Sequence, residues 1–220
     1  MINSVIFDFN GTLFNDWYLH IKAWGIISKK LRGYPLTLDE MNYKLNGFPN
    51  EKILRYVTND TLNEADLIKY SALKEELYRN LVLEIENGPK LIDGAVNLFN
   101  FLNANNIPFT ISSASIKENI DFFVETFNLD KYFDVSTIVY DDGTYSNKQE
   151  MYEATLKNMN FNPKTTLIFE DSIAGIKSAF NVGVENVVAI YNPALLSQYK
   201  DYPIKKIVTN YNDLNYLFSK

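Results

Sequence analysis

The 220-residue sequence contains no cysteine and a single histidine, His20. Disulfides and thiolate metal sites are thereby excluded, and neither a multi-histidine metal centre nor a Ser-His triad has much material to be built from. Runs of basic residues are missing too. With 21 Lys and Arg against 27 Asp and Glu, the net charge is −6 and the pI near 4.9, which argues against a nucleic acid held on a basic surface. No apolar stretch approaches a membrane span, and the N-terminus lacks the basic segment and apolar core of a signal peptide. The expectation is a cytoplasmic protein with no nucleic-acid or membrane partner, a monomer whose ligands are small and polar. What is present is apolar material: 46% hydrophobic residues can bury a core as one large domain, or as one domain with a sizeable insert.

The stretch Val5-Ile6-Phe7-Asp8-Phe9-Asn10-Gly11-Thr12 is a β-branched and aromatic run that ends in a carboxylate and passes directly into turn residues. It reads as a buried strand that delivers Asp8 to the mouth of a sheet. Ligands of open α/β sheets lie beyond the carboxyl ends of the strands, where Gly11 allows tight turning and unpaired backbone N–H groups can meet an anion.

From Phe14 the pattern is helical for about seventy residues. Leu19, Ala23, Ile26 and Ile27 make one apolar face that stops near Gly33-Tyr34-Pro35. Thr37 and Glu40 have capping-box spacing, with Gly47 a stop for the helix they open. A short helix around Ile53, Leu54 and Val57 follows, then a long one from Asn63 with Tyr70, Leu73, Leu77 and Leu81 as its stripe, ended by Asn87-Gly88-Pro89. Residues 15–88 therefore read as a helical bundle inserted between the first strand and a core of residues 1–14 and 89–220.

After Pro89 helix and strand alternate, the pattern of a parallel sheet with helical crossovers. Helices carry Ala95, Leu98, Phe99 and Leu102, then Ile120, Phe123 and Phe127, then residues 148–159, then Ile173, Ile176 and Phe180. Strands run through 107–112, 135–140, 166–169, 187–191 and 207–208. Asp141-Asp142-Gly143 reads as a turn.

Three strands end in polar residues: Asp8, Ser113 and Glu170-Asp171. Parallel neighbours bring such ends to one rim, with Lys148 opening a nearby helix. Two carboxylates from different strands are a poor arrangement unless a cation sits between them, and oxygen ligands without Cys or His point to Mg²⁺. A hydroxyl and an ammonium beside a carboxylate complement a phosphoryl group. Singly, Ser113 also fits a helix cap and Lys148 a solvated charge; jointly, in this order, they fit a site.

These residues resemble the haloacid dehalogenase superfamily, in the phosphatase branch similar to β-phosphoglucomutase. The likeness runs over the whole chain: Asp-Phe-Asn-Gly-Thr-Leu at 8–13, the helical insert, Ser113-Ala114-Ser115, Lys148, and Glu170-Asp171-Ser172 with Ala174-Gly175-Ile176 behind it. It implies a Rossmann-like parallel-sheet core with helices on both faces and an inserted, mobile α-helical cap. It further implies that Asp8 forms an aspartyl phosphate, that Ser113, Ala114, Lys148 and the Gly11 turn hold the phosphoryl oxygens, and that Asp8, the carbonyl of Asn10 and Asp171 ligate Mg²⁺ with Glu170 in support. His20 matches a cap-hinge histidine, and Lys74 a cap lysine that faces the substrate, here a small phosphorylated metabolite such as a sugar phosphate.

Two positions depart from that pattern. Asn10 replaces the aspartate that protonates the leaving oxygen, work an amide cannot do at neutral pH, and loss of such a group typically lowers rates about 10²–10⁴-fold. Asn50 replaces the arginine that grips a distal phosphate, which disfavours a mutase. Other readings remain: a dehalogenase, against which Glu170-Asp171 speaks; a phosphonatase with Lys22 or Lys74 as Schiff base; and a binder of Mg²⁺ and a phosphorylated metabolite without turnover.

Overall fold

The computed structural model describes residues 1–45 and 48–218. The chain divides into two compact units, Met1–Asn15 with Lys90–Lys220, and Asp16–Pro89.

The first unit is a six-stranded sheet. Strand β1 (Ser4–Phe7) is followed, past the helical unit, by α4 (Ala95–Ala104), β2 (Phe109–Ile116), α5 (Lys117–Phe127), β3 (Val139–Asp141), α6 (Lys148–Asn158), β4 (Thr166–Glu170), α7 (Ile173–Asn181), β5 (Asn186–Ile190) and β6 (Lys206–Val208); α1 to α3 belong to the other unit. The order β3-β2-β1-β4-β5-β6 is parallel throughout. This is the parallel sheet with helical crossovers that the alternation predicts, and the Rossmann-like core that the resemblance implies. Every residue of β1, β4 and β5 is buried, as a parallel sheet covered on both faces requires. Ile6 joins Tyr152 and Leu156 of α6 and Ile176 and Ala179 of α7 in one cluster. Phe7 points the other way, stacked on Phe169 with centroids 5.0 Å apart and edge-on to Phe99 of α4 at 5.3 Å. The direction of winding changes at β1, which lies between β2 and β4, and at such a switch point the strand ends open a crevice.

The expected strand over 135–140 is shorter than its sequence suggests. Val135–Thr137 is a 3₁₀ turn, because Asp134 accepts from the Ser136 N–H at 3.0 Å and Thr137 Oγ1 donates back to the Asp134 carbonyl at 2.7 Å. Local side-chain bonds of this kind compete with the ladder.

The helical unit contains α1 (Trp17–Arg32), α2 (Asn50–Thr58) and α3 (Glu64–Leu83). Gly33 closes α1 in the left-handed region, and Thr37 and Glu40 form the reciprocal capping box at 3.1 and 2.8 Å. The turn they open is π-helical, Glu40–Lys44; the stop expected at Gly47 lies outside the described residues. Trp24, Ile27, Leu36, Met41, Ile53, Leu54 and Leu67 belong to its apolar core. On α3 the expected stripe holds at Leu81, which is buried, and packs against that core at its other positions. Tyr70, Leu73 and Leu77 are only partly buried against that core, whereas Lys74, Glu75 and Tyr78 are buried; a polar network described below makes their burial tolerable. The helix also ends at Leu83, before the turn at Asn87 and Gly88, both of which have positive φ.

Candidate functional site at the carboxyl ends of β1, β2 and β4

Asp8 follows the last residue of β1, and its N–H donates to the Phe169 carbonyl of β4 at 3.0 Å. Glu170 ends β4 and Asp171 comes next, so the switch point brings three carboxylates together, one oxygen of each lying within 4.8 Å of the others. Two glycines make room for them. A Cβ on Gly11, whose φ is +74°, would lie 2.2 Å from Asp171 Oδ2, and one on Gly175 would lie 2.1 Å from the Glu170 carboxylate. The Gly11 N–H is itself engaged by the Phe14 carbonyl at 2.8 Å, so what this glycine contributes is clearance and a left-handed turn rather than an open N–H.

Lys148, first residue of α6 behind its Asn147 cap, sends its ammonium into the cluster. It donates to Asp8 Oδ1 and, at 2.6 Å, to the Ser112 carbonyl, with Glu170 Oε2 at 3.9 Å. Ser112 is followed by buried Ser113, whose Oγ accepts from the Ser115 N–H at 3.3 Å; the side chain of Ala114 between them is exposed. Ser115 Oγ donates to Asn10 Oδ1 at 2.6 Å, and Thr12 Oγ1 donates to Asp171 Oδ1 at 3.3 Å. Glu170 is the most encumbered of the three. Tyr152 donates to its Oε2 at 2.5 Å, while Ser172 Oγ and the N–H groups of Ser172 and Asp171 converge on Oε1 at 2.9, 3.0 and 3.2 Å.

Burial pushes the Asp8 carboxyl up to about 7, a rise that Lys148 opposes and Glu170 reinforces. Burial works against the charge of Lys148, yet Asp8 and Glu170 outweigh it and raise the ammonium above its ordinary value. One ammonium thus serves three clustered carboxylates. The donors are all hard oxygen, and their spacing suits a small divalent cation, so the residues fit the expected Mg²⁺.

The remaining candidates gather in the helical unit. His20 on α1 meets Lys74 of α3, with Nδ1 2.9 Å from Nζ, and its Nε2 lies 3.3 Å from Asp16. Lys74, 3% exposed, donates to Glu75 Oε1 at 2.8 Å, and Asn50 Nδ2 donates to the same oxygen at 2.7 Å. The His20 ring stacks on Tyr78, whose hydroxyl donates to Asp16. Sequence reading chose His20, Asn50 and Lys74 but passed over Asp16, Glu75 and Tyr78. It likewise passed over Tyr152 and Thr12, which sit beside chosen residues and carry no signal of their own except the four-residue step from Lys148 to Tyr152.

Comparison with known proteins agrees with this architecture. Residues 5–189 match the family model described as haloacid dehalogenase-like hydrolase. A family IA, variant 3 hydrolase of Entamoeba histolytica is 32% identical with a TM-score of 0.89, over 97% of this chain and 95% of that one. A β-phosphoglucomutase of Clostridium difficile shares the fold at 24% identity and a TM-score of 0.80, over 99% and 95% of the two chains. In sequence, a phosphorylated carbohydrates phosphatase of Thermotoga maritima is 22% identical over 86% of this chain and 85% of that protein. Among the described residues no helix is long and apolar enough to cross a membrane.

Proposed function

The chain belongs to the haloacid dehalogenase-like hydrolases, and from that premise we propose that it is a Mg²⁺-dependent phosphatase, a cytoplasmic monomer that removes the phosphoryl group of a small metabolite through an Asp8 phosphate. The observation that carries this reading is the convergence of Asp8, Glu170 and Asp171 with Lys148 at the switch point of the sheet. In this reading an Asp8 oxygen attacks phosphorus while Lys148 and Ser113 hold the phosphoryl oxygens. Asp8, the Asn10 carbonyl and Asp171 hold the cation, with Glu170 fixed behind them. When bound, Mg²⁺ supplies positive charge to the phosphoryl oxygens.

Substrate selection is assigned to the helical unit. Position 50 offers an amide tied to Glu75 rather than a cation for a second phosphate, which favours a phosphatase over a mutase. Lys74 is ion-paired with Glu75, which disfavours it as a Schiff-base amine. The name of the Thermotoga relative makes sugar phosphates the first compounds to try. The test is phosphate release from sugar phosphates, acyl phosphates and p-nitrophenyl phosphate, with Mg²⁺ or EDTA, by the natural chain and Asp8→Asn. Release that depends on both Mg²⁺ and Asp8 is expected; release that survives Asp8→Asn, or none from any compound, overturns the reading.

A further inference from the structure

Asn10 lies two residues beyond Asp8, in a turn whose Gly11 and Phe14 N–H groups are bonded within it. Its side-chain oxygen accepts from Ser115 Oγ at 2.6 Å, so any further contact made through the other end of the amide is as an N–H donor. Such a donor steadies an oxygen that is gaining charge. It neither hands over a proton nor takes one from water. The other carboxylates of the cluster are committed elsewhere: Glu170 accepts from Tyr152 and Ser172, and Asp171 accepts from Thr12 and is assigned to the cation.

Resting on the phosphatase reading, we infer that the natural phosphoryl donors are those whose leaving group departs as a stable anion, acyl phosphates and phosphoric anhydrides, and that phospho-Asp8 is the species that accumulates. In the first step an Asp8 oxygen forms a bond to phosphorus as the bond from phosphorus to the leaving oxygen breaks, that of a carboxylate in an acyl phosphate and of a phosphate in an anhydride. The electron pair leaves with that anion, which needs no proton at neutral pH. An alkyl phosphate ester fails here, because an alkoxide leaves only when protonated. In the second step water must lose a proton as it attacks phosphorus and the Asp8 carboxylate is released. With an amide at position 10 that proton goes to a phosphoryl oxygen or to solvent, so the second step is slow.

The experiment uses the natural chain with Mg²⁺ and acetyl phosphate, read by acetate release and by intact mass after an acid quench. Expected are a burst of one acetate per chain, a slow steady rate, and a mass gain of one phosphoryl group that hydroxylamine removes. Asp8→Asn should show neither burst nor gain. Asn10→Asp should lose the accumulated phosphoryl group and turn over alkyl esters about 10²–10⁴-fold faster. Fast steady hydrolysis of sugar phosphate esters by the natural chain, with no phosphoryl group retained, overturns this inference and leaves the phosphatase reading standing. If no acyl phosphate or ester is consumed and no mass is gained, both fall.

Discussion

Tyr152 donates its hydroxyl to Glu170 Oε2 at 2.5 Å while its ring lies under the Lys148 ammonium, 5.1 Å from nitrogen to centroid. Because Tyr152 is one helical turn beyond Lys148, α6 positions the cation and the support of the acidic cluster together. Tyr152→Phe removes the hydroxyl and leaves a buried carboxylate oxygen short of a donor, at a cost of about 1–3 kcal/mol in stability. A partner that only orients a ligand group typically changes metal affinity about 10–100-fold when lost. The variant should therefore need more Mg²⁺ for half-maximal activity and recover at high Mg²⁺. A lower melting temperature with an unchanged Mg²⁺ requirement would assign Tyr152 to packing alone.

Gly11 and Gly33 both have positive φ, +74° and +88°, but a Cβ on Gly33 would meet nothing within 4 Å. Gly33→Ala should cost only the left-handed strain, about 1–2 kcal/mol, and leave Mg²⁺ binding unchanged. Gly11→Ala adds a carbon 2.2 Å from Asp171 Oδ2, so Asp171 must move and Mg²⁺ affinity should fall well beyond what the shared strain explains. Isothermal titration with Mg²⁺ beside thermal unfolding separates the two effects. Equal Mg²⁺ affinity in both variants would show that Asp171 does not need that clearance to bind the ion.

Much of the sheet was legible because burial leaves a direct trace in composition. Val5, Ile6 and Phe7, a β-branched and aromatic run before turn residues, are the covered strand they read as, and Ala95, Leu98, Phe99 and Leu102 are the buried residues of α4. The cluster of Asp8, Glu170, Asp171 and Lys148 was legible for a topological reason: parallel strands put polar residues that follow apolar runs at one rim. Residues 135–137 misled because Val135 and Thr137 suit a strand, whereas Asp134 supplies hydrogen bonds that no apolar pattern encodes. On α3 the apolar stripe alone gave no sign that Lys74 and Glu75 are buried. They are buried because His20 and Asn50, from α1 and α2, complete their hydrogen bonds, and pairings 54 and 25 residues apart in sequence leave no local signature.

That buried network gives the helical unit an acid-sensitive element. Burial pushes the Glu75 carboxyl up, but Lys74, the Asn50 amide and His20 outweigh it and hold it at about 2 against an ordinary 4.5. Glu40 is held at about 2 chiefly by its hydrogen bond from Arg32. A carboxyl lower in the folded than in the unfolded chain stabilises fully above the unfolded value, and the contribution is lost as pH falls through 4.5 towards 2. Stability measured by urea titration should drop across that window. Glu75→Gln should flatten the drop and, by leaving Lys74 buried without its carboxylate, cost about 3–5 kcal/mol at neutral pH. Identical slopes for the two proteins would remove Glu75 as a source.

The cation proposed at Asp8 and Asp171 can be tested without turnover. Beryllium or aluminium fluoride mimics a phosphoryl group on a carboxylate, and a ligand that binds only the native state stabilises it by about 2.7 kcal/mol at one hundred times its dissociation constant. For a chain of this size that is roughly 5–10 °C in melting temperature. The shift should appear only when Mg²⁺ and the fluoride are both present, because the three carboxylates repel an anion unless their charge is neutralised. Asp171→Asn should reduce it strongly. Replacing Asp142, an exposed residue whose carboxylate accepts from Thr144 in a turn, should leave it intact. A shift of equal size in EDTA would mean that Lys148 and the backbone hold the anion unaided, and the metal assignment of Asp8 and Asp171 would have to be given up.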